Sequence, residues 1–254
     1  VLIGDNSEDI QKSLNQWNET VQQMGMEINT GKTKIIKIND AEEQQNIKCG
    51  DDVLEQMTTM EYLGTKISND GKIDTEILSR IRKSSILYYQ LNRTILSKTE
   101  ISRETRTAIY NTVAIPNMLH GSETWPLTTK HEKKLTAAEM KFLRKITGNT
   151  KRDKCKNEDI QKKLKQKPVV QNIEEKQLKW YGHVQRMQPE ALTKRVAESR
   201  RYGNRRIGRP TTNMEKRIEK LARERGKTVS ELRAMTVDKK KWKGWVENPK
   251  KPTP

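Results

Sequence analysis

With 254 residues, 32% of them apolar and 33% charged, a mean hydropathy of -0.98 and a single phenylalanine, the chain has material only for a thin core shared among amphipathic helices. No apolar run approaches the length of a signal peptide or membrane span, so a soluble, intracellular (cytoplasmic or nuclear) protein is expected. The charge is lopsided: of 51 Lys+Arg and 33 Asp+Glu, residues 1–130 hold 15 and 18, so the whole net charge of +18 belongs to the second half, as in a polyanion-binding surface.

Val1-Leu2-Ile3 running into Gly4-Asp5-Asn6 reads as the second half of a β-strand whose first half is expected upstream. Ser7-Glu8-Asp9 supplies a cap and first-turn acids. Ile10, Leu14, Trp17, Val21 and Met24 then recur at helical spacing, predicting an amphipathic helix closed by Gly25. Met26, Ile28 and the run Ile35-Ile36-Lys37-Ile38 flank Asn29-Thr30-Gly31, which predicts two short strands around a turn. Residues 39–56 read as loop with a weak strand near Ile47. "MEYLGTKIS" reads as a strand or hairpin arm that ends in the turn Asn69-Asp70-Gly71.

From Ile73 the strand signals stop. Ile77, Ile81, Ile86, Leu87, Leu91 and Ile95 predict a long helix, and Ile101, Ile109 and Val113 a second that ends or kinks at Pro116. A third is expected over 129–146, with Leu135, Phe142 and Ile146 on its apolar face and Gly148 as its stop, then shorter ones at 159–165 and 173–187. Residues 199–210 are Gly- and Arg-rich without an apolar period and read as a basic linker. Met214, Ile218 and Leu221 predict a helix, Thr228 caps another, and the chain is expected to fray beyond Trp245. The class is therefore α+β, strands first and helices after, divided at 1–72, 73–150, 151–210 and 211–254.

The candidates for chemistry are few. Cys49, Cys155, His120, His131 and His183 are too scattered for a zinc site or a disulfide scaffold. Asp5 and Asp9 lie where a turn and a helix start ask for acids anyway. Cations interleave with aromatics in "KRDK" (Lys151, Arg152, Lys154), in "KWYGHVQR" (Lys179, Tyr181, His183, Arg186) and in "RRYGNRRIGR" (Arg200, Arg201, Arg205, Arg206, Arg209). Phosphate neutralisation by such cations gives affinity, and aromatic faces stack on unpaired bases. Trp180 and Val184 share a helical face with Ile173 and Met187 and are expected in the core, leaving Tyr181 and His183 exposed.

"GMEINTGKTKI", "EYLGTKIS" with "NDGK", "GSETWPLT", "AAEMKFLRKITG", "QLKWYGHVQRM" and "RRIGRP", in that order over nearly the whole chain, resemble the carboxy-terminal part of a reverse transcriptase from a non-LTR, LINE-type retrotransposon. In that family an aromatic-x-Asp-Asp sequence, whose carboxylates hold the catalytic Mg²⁺, directly precedes the segment similar to "VLIGDN". The resemblance therefore implies a palm remnant of a few short antiparallel strands and one helix, a helical thumb, and no nucleotidyl transfer by this chain alone. No cofactor is expected in the chain itself, and Mg²⁺ only in an intact family enzyme.

By the resemblance, Lys32, Lys34 and Asn29 match the palm element facing the incoming nucleotide's phosphates, against a plain reading as strand-edge residues. Tyr62, Leu63 and Gly64 match the primer grip, against a reading of Tyr62 and Leu63 as core packed on the first helix. Arg80, Arg82, Lys83, Arg93, Arg103 and Arg106 are the cations of the thumb region, and Trp125-Pro126 reads as a buried anchor. Two features depart from the family: Met214 stands where Trp is common, and a cysteine-histidine cluster is missing. The expected partners are RNA template, RNA·DNA hybrid or DNA, and no membrane. An alternative is a non-enzymatic DNA-binding protein whose residues 211–245 form a helix-turn-helix-like module with Arg233 as its base reader. A decayed gene product without selected function is a third.

Overall fold

The computed structural model describes residues 1–38, 45–199 and 213–247. The chain divides into two compact units, Val1–Ser79 and a second beginning at Arg80. The class is α+β and mainly helical.

In the first unit, Val1 to Gly4 form no strand, and the side chains of Val1 and Ile3 stand in solvent. Helix α1 (Ser7–Gln23) is capped by Asn6 rather than Ser7, because the Asn6 Oδ1 accepts the Asp9 N–H at 2.8 Å. It closes as expected at Gly25 (φ 72°), where the Gly25 N–H donates to Gln22 O and the Met26 N–H to Val21 O. The expected pairing of Met26–Ile28 with 35–38 does not form. Instead, β1 (Lys34–Ile35) pairs in parallel with β4 (Glu55–Gln56), so the strands are not all antiparallel. The region read as loop holds a hairpin of β2 (Lys48–Cys49) and β3 (Asp52–Val53), turned at Gly50. Strands β5 (Thr59–Tyr62) and β6 (Thr65–Ser68) form a second antiparallel hairpin with Tyr62 opposite Thr65. Leu14, Ile47, Cys49 and Leu54 make the core, with Ile10, Ile28 and Ile35 at its edge.

Helix α2 (Asp74–Leu91) leads into a π-helical turn at Asn92–Leu96. Helix α3 (Arg103–Ile109) passes through a second π-turn, Tyr110–Ala114, into α4 (Ile115–Met118). Pro116 explains the second π-turn: it has no N–H to return to Thr112, and the Ile115 N–H reaches back five residues to Tyr110 O. Helix α5 (Thr129–Thr147) is closed by Gly148 in the left-handed conformation, as its sequence predicts. Helices α6 (Asn157–Lys163) and α7 (Val169–Gln185) follow, then α8 (Leu192–Glu198), which no apolar period announces. Last come α9 (Met214–Glu224), α10 (Val229–Thr236) and α11 (Lys239–Glu247). Thr228 caps α10 as predicted, but α11 is helical past Trp245, because Trp242 and Val246 are buried against Leu178, Ile218, Leu221, Ala222 and Leu232.

Candidate nucleic-acid interface

The frame that carries the basic surface is held by three side-chain devices around α7. At Gly182 a Cβ would overlap the Trp242 indole; the missing side chain lets the indole lie on the helix and donate from Nε1 to Leu178 O at 3.1 Å. Gln177, fully buried, donates from Nε2 to Trp125 O at 2.7 Å and to Ser122 O at 3.3 Å, tying the "GSETW" turn to α7. Trp125 is completely buried, as read from the sequence. Arg217 of α9, although a cation, is also interior: it donates to Glu132 Oε1 at 2.8 Å, to Glu174 Oε1 at 3.3 Å and to Gln177 Oε1 at 3.2 Å. Burial nevertheless pushes the Glu174 carboxyl up, because desolvation outweighs the attraction of Arg217.

A second buried polar group lies between α5 and α6. Glu139 is fully enclosed, its Oε2 accepting from Gln161 Nε2 at 3.1 Å, with the Tyr110 hydroxyl beside it. Burial pushes the Glu139 carboxyl up to about 7, against the opposing pull of the Val169 N–H and of Gln161. The Tyr110 hydroxyl is raised as well, by burial first and then by Glu139.

The predicted binding residues divide sharply. Lys151, Arg152 and Lys154 sit together on an exposed turn after α5, where Asp153 is occupied by the Thr150 N–H at 2.6 Å and Lys154 adopts φ 52°. His183 is exposed, with its ring 5.5 Å from Trp180. Tyr181 is not the exposed aromatic that its position on the helix suggests. It packs against the Trp242 cluster with its hydroxyl buried, and Trp180, expected in the core, is like Tyr181 only half-buried. Lys179 is held by Glu247 at 2.9 Å. Arg186 donates from Nη1 to Thr236 O at 2.8 Å, closing the carboxy-terminal end of α10. Arg200, Arg201, Arg205, Arg206 and Arg209 lie outside the described residues.

In the first unit, Asn29 serves its own turn, its Oδ1 accepting the Lys32 N–H at 3.0 Å. Lys34 pairs across β1 and β4 with Glu55, and Lys32 is exposed. Tyr62 and Leu63 are not core against α1: they form the exposed tip of the β5–β6 hairpin, with Leu63 78% exposed. Leu63 (φ 47°) and Gly64 (φ 79°) are the two central residues of the turn, a geometry that suits Asn-Gly and strains a leucine. Asp9 is engaged by Asn6 Nδ2 at 2.8 Å, and among the described residues no group of three or more His, Cys, Asp or Glu is placed to hold a metal ion.

Helices α9 and α10 are joined by a short turn at Gly226. Leu232 and Thr236 of α10 are buried while Arg233 is exposed, and the Glu231 carboxylate accepts the Thr228 N–H at 2.7 Å in a capping box at the start of the helix. What sequence reasoning missed is the outer face of α5. Lys130, Lys134, Lys141 and Lys145 share it, and their spacing was legible beside the apolar face that was read. Lys141 Nζ lies 4.4 Å from the Tyr88 ring centre and 4.0 Å from that of Tyr89. Among the described residues, no helix is long and apolar enough to cross a membrane.

The chain is similar to a transposon-derived protein of Caenorhabditis elegans, 25% identical over 260 residues that span 95% of this chain and 90% of the relative. A likeness of that length is consistent with an origin in a transposable element. No protein-family profile and no solved structure matches the chain.

Proposed function

We propose that this chain is a non-LTR retrotransposon reverse-transcriptase derivative that binds RNA or RNA·DNA hybrid through phosphate contacts and does not itself transfer nucleotides. The transposon-derived relative supports the element origin, and the order of six motifs supports the polymerase branch. The observation that carries the binding is the fate of the acids of α5 and α7 and of Glu247. Glu132 and Glu174 are spent on Arg217, Glu139 is buried, and Glu175 and Glu247 hold Lys167 and Lys179. Acids used in this way leave the lysine excess of α5 and of the 151–154 turn for an external polyanion.

The strained hairpin tip gives the palm-side counterpart. An apolar side chain that is exposed and held at positive φ suits a tip that touches a primer end. Lys32 remains the available cation of the palm element, and the described residues offer no ligand set through which Mg²⁺ chemistry would run. Competition of RNA·DNA hybrid against duplex DNA for the full chain tests the reading. Preference for hybrid with indifference to its sequence supports it, and one DNA sequence outcompeting all others would sink it.

A further inference from the structure

The outer face of α5 is a cation row that the core leaves unused. Lys130, Lys134, Lys141 and Lys145 lie at i, i+4, i+11 and i+15, which places them in one narrow sector of the helix along about 22 Å. The acids of the same helix are turned away, Glu132 to Arg217 and Glu139 into the interior. Ala137, exposed midway along the row, keeps the helix surface low enough for a strand to approach. Among the described residues none of the four ammonium groups has a carboxylate partner; Lys141 instead spans the two tyrosine rings.

Those rings differ. Tyr88 is half-buried, edge-on to Phe142 at 5.2 Å, and burial raises its hydroxyl pKa. Tyr89 is 64% exposed and Ile86, one turn earlier, is 53% exposed. An exposed ring steadied by a cation at the edge of a lysine row is the combination that single-stranded sites use: charge along the backbone and a π-face for a base.

We infer that the α5 row and Tyr89 form a track for single-stranded nucleic acid, the lysines neutralising successive phosphates and Tyr89 stacking on an unpaired base. About 6 Å of helix separates lysines one turn apart, a spacing their flexible stems adjust to consecutive phosphates. A membrane surface fits less well, because the apolar face of α5, with Leu135, Phe142, Leu143 and Ile146, is already buried and has nothing to insert. The inference deepens the nucleic-acid reading above and takes the ligand class from it.

Its test uses the full chain and a fluorescent single-stranded oligonucleotide of mixed sequence, titrated between 50 and 200 mM salt, beside a hairpin duplex and phosphatidylserine vesicles. Replacing Lys130, Lys134, Lys141 and Lys145 together by Gln is expected to leave the circular dichroism unchanged. It should also flatten the plot of log affinity against log salt by about 3, at roughly 0.7 per lost phosphate contact. Tyr89→Leu is expected to weaken single-strand binding roughly tenfold with little effect on the duplex, whereas Tyr89→Phe keeps it. Wild-type binding that the lysine variant leaves intact would overturn the α5 track and spare the general reading. A wild-type chain that binds no nucleic acid, or binds only the vesicles, would overturn both. Equal losses on single strand and duplex for Tyr89→Leu would refute the stacking role.

Discussion

Trp17 and Trp125 show how differently the two units treat the same residue type. Trp125 is fully buried, its turn clamped by Gln177, whereas Trp17, on the apolar stripe of α1, is 55% exposed. The stripe that predicts α1 is satisfied only at Leu14, with Met24 open to solvent and Val21 half-buried. Strands of two to four residues and a cluster of four buried side chains leave the first unit little to set against the entropy of ordering its chain. The second unit combines interlocking helices with buried polar clamps. An amphipathic pattern therefore predicts a helix reliably, but whether its apolar face becomes core depends on a partner elsewhere in the chain.

The comparison breaks most readily at Arg217. Arg217→Ala leaves Glu132, Glu174 and Gln177 without their shared donor and is expected to cost roughly 3–5 kcal/mol, read as loss of exchange protection in α5, α7 and α9 while the first unit is unmoved. A chain that unfolds as one block would erase the distinction between the units.

Glu139 gives the next largest effect. Its folded pKa of about 7 lies above the ordinary 4.5, so the folded state holds the proton more tightly, and stability present below pH 4.5 is lost as pH rises to 7. The loss should be on the order of 3 kcal/mol, flat above pH 7. Glu139→Gln keeps an acceptor for Gln161 and is expected to remove the slope in denaturant unfolding between pH 4.5 and 7.

Gly182→Ala should cost about 1–3 kcal/mol by driving the Trp242 indole off α7, seen as a red shift in tryptophan emission and a lowered Tm. Leu63→Asn works in the opposite direction. Relief of the strained turn is expected to stabilise the hairpin by about 1 kcal/mol, and the same change should weaken hybrid binding if the tip contacts a primer. A destabilised Leu63→Asn variant would mean that the leucine packs in solution and has no recognition role.

What was legible in the sequence follows the range of each signal. Gly25 and Gly148 as helix stops, Thr228 as a cap and Trp125-Pro126 as an anchored turn are local, and each stands where it was read. Met26–Ile28 has strand-like residues yet no strand, because β1 finds its partner at Glu55–Gln56, across a segment whose loop-like composition hides the pairing. Tyr181, read as exposed from α7 alone, packs on Trp242, some sixty residues away, a contact that no local pattern in α7 signals. The candidate interface was half legible: the 151–154 turn is exposed, but Lys179 and Arg186, equally basic on paper, are consumed by Glu247 and by the end of α10. Net charge counts cations without revealing which are already engaged.

Hydrogen–deuterium exchange of the full chain, alone and with a saturating RNA·DNA hybrid, tests the central claim most directly, because it reads stability and contact together. The account predicts slow exchange through α5 and α7, fast exchange through β1 to β4, and hybrid-dependent protection at the 149–156 turn and the Tyr62–Gly64 tip with none at α10. Protection confined to α10, or no change on adding hybrid, would contradict it.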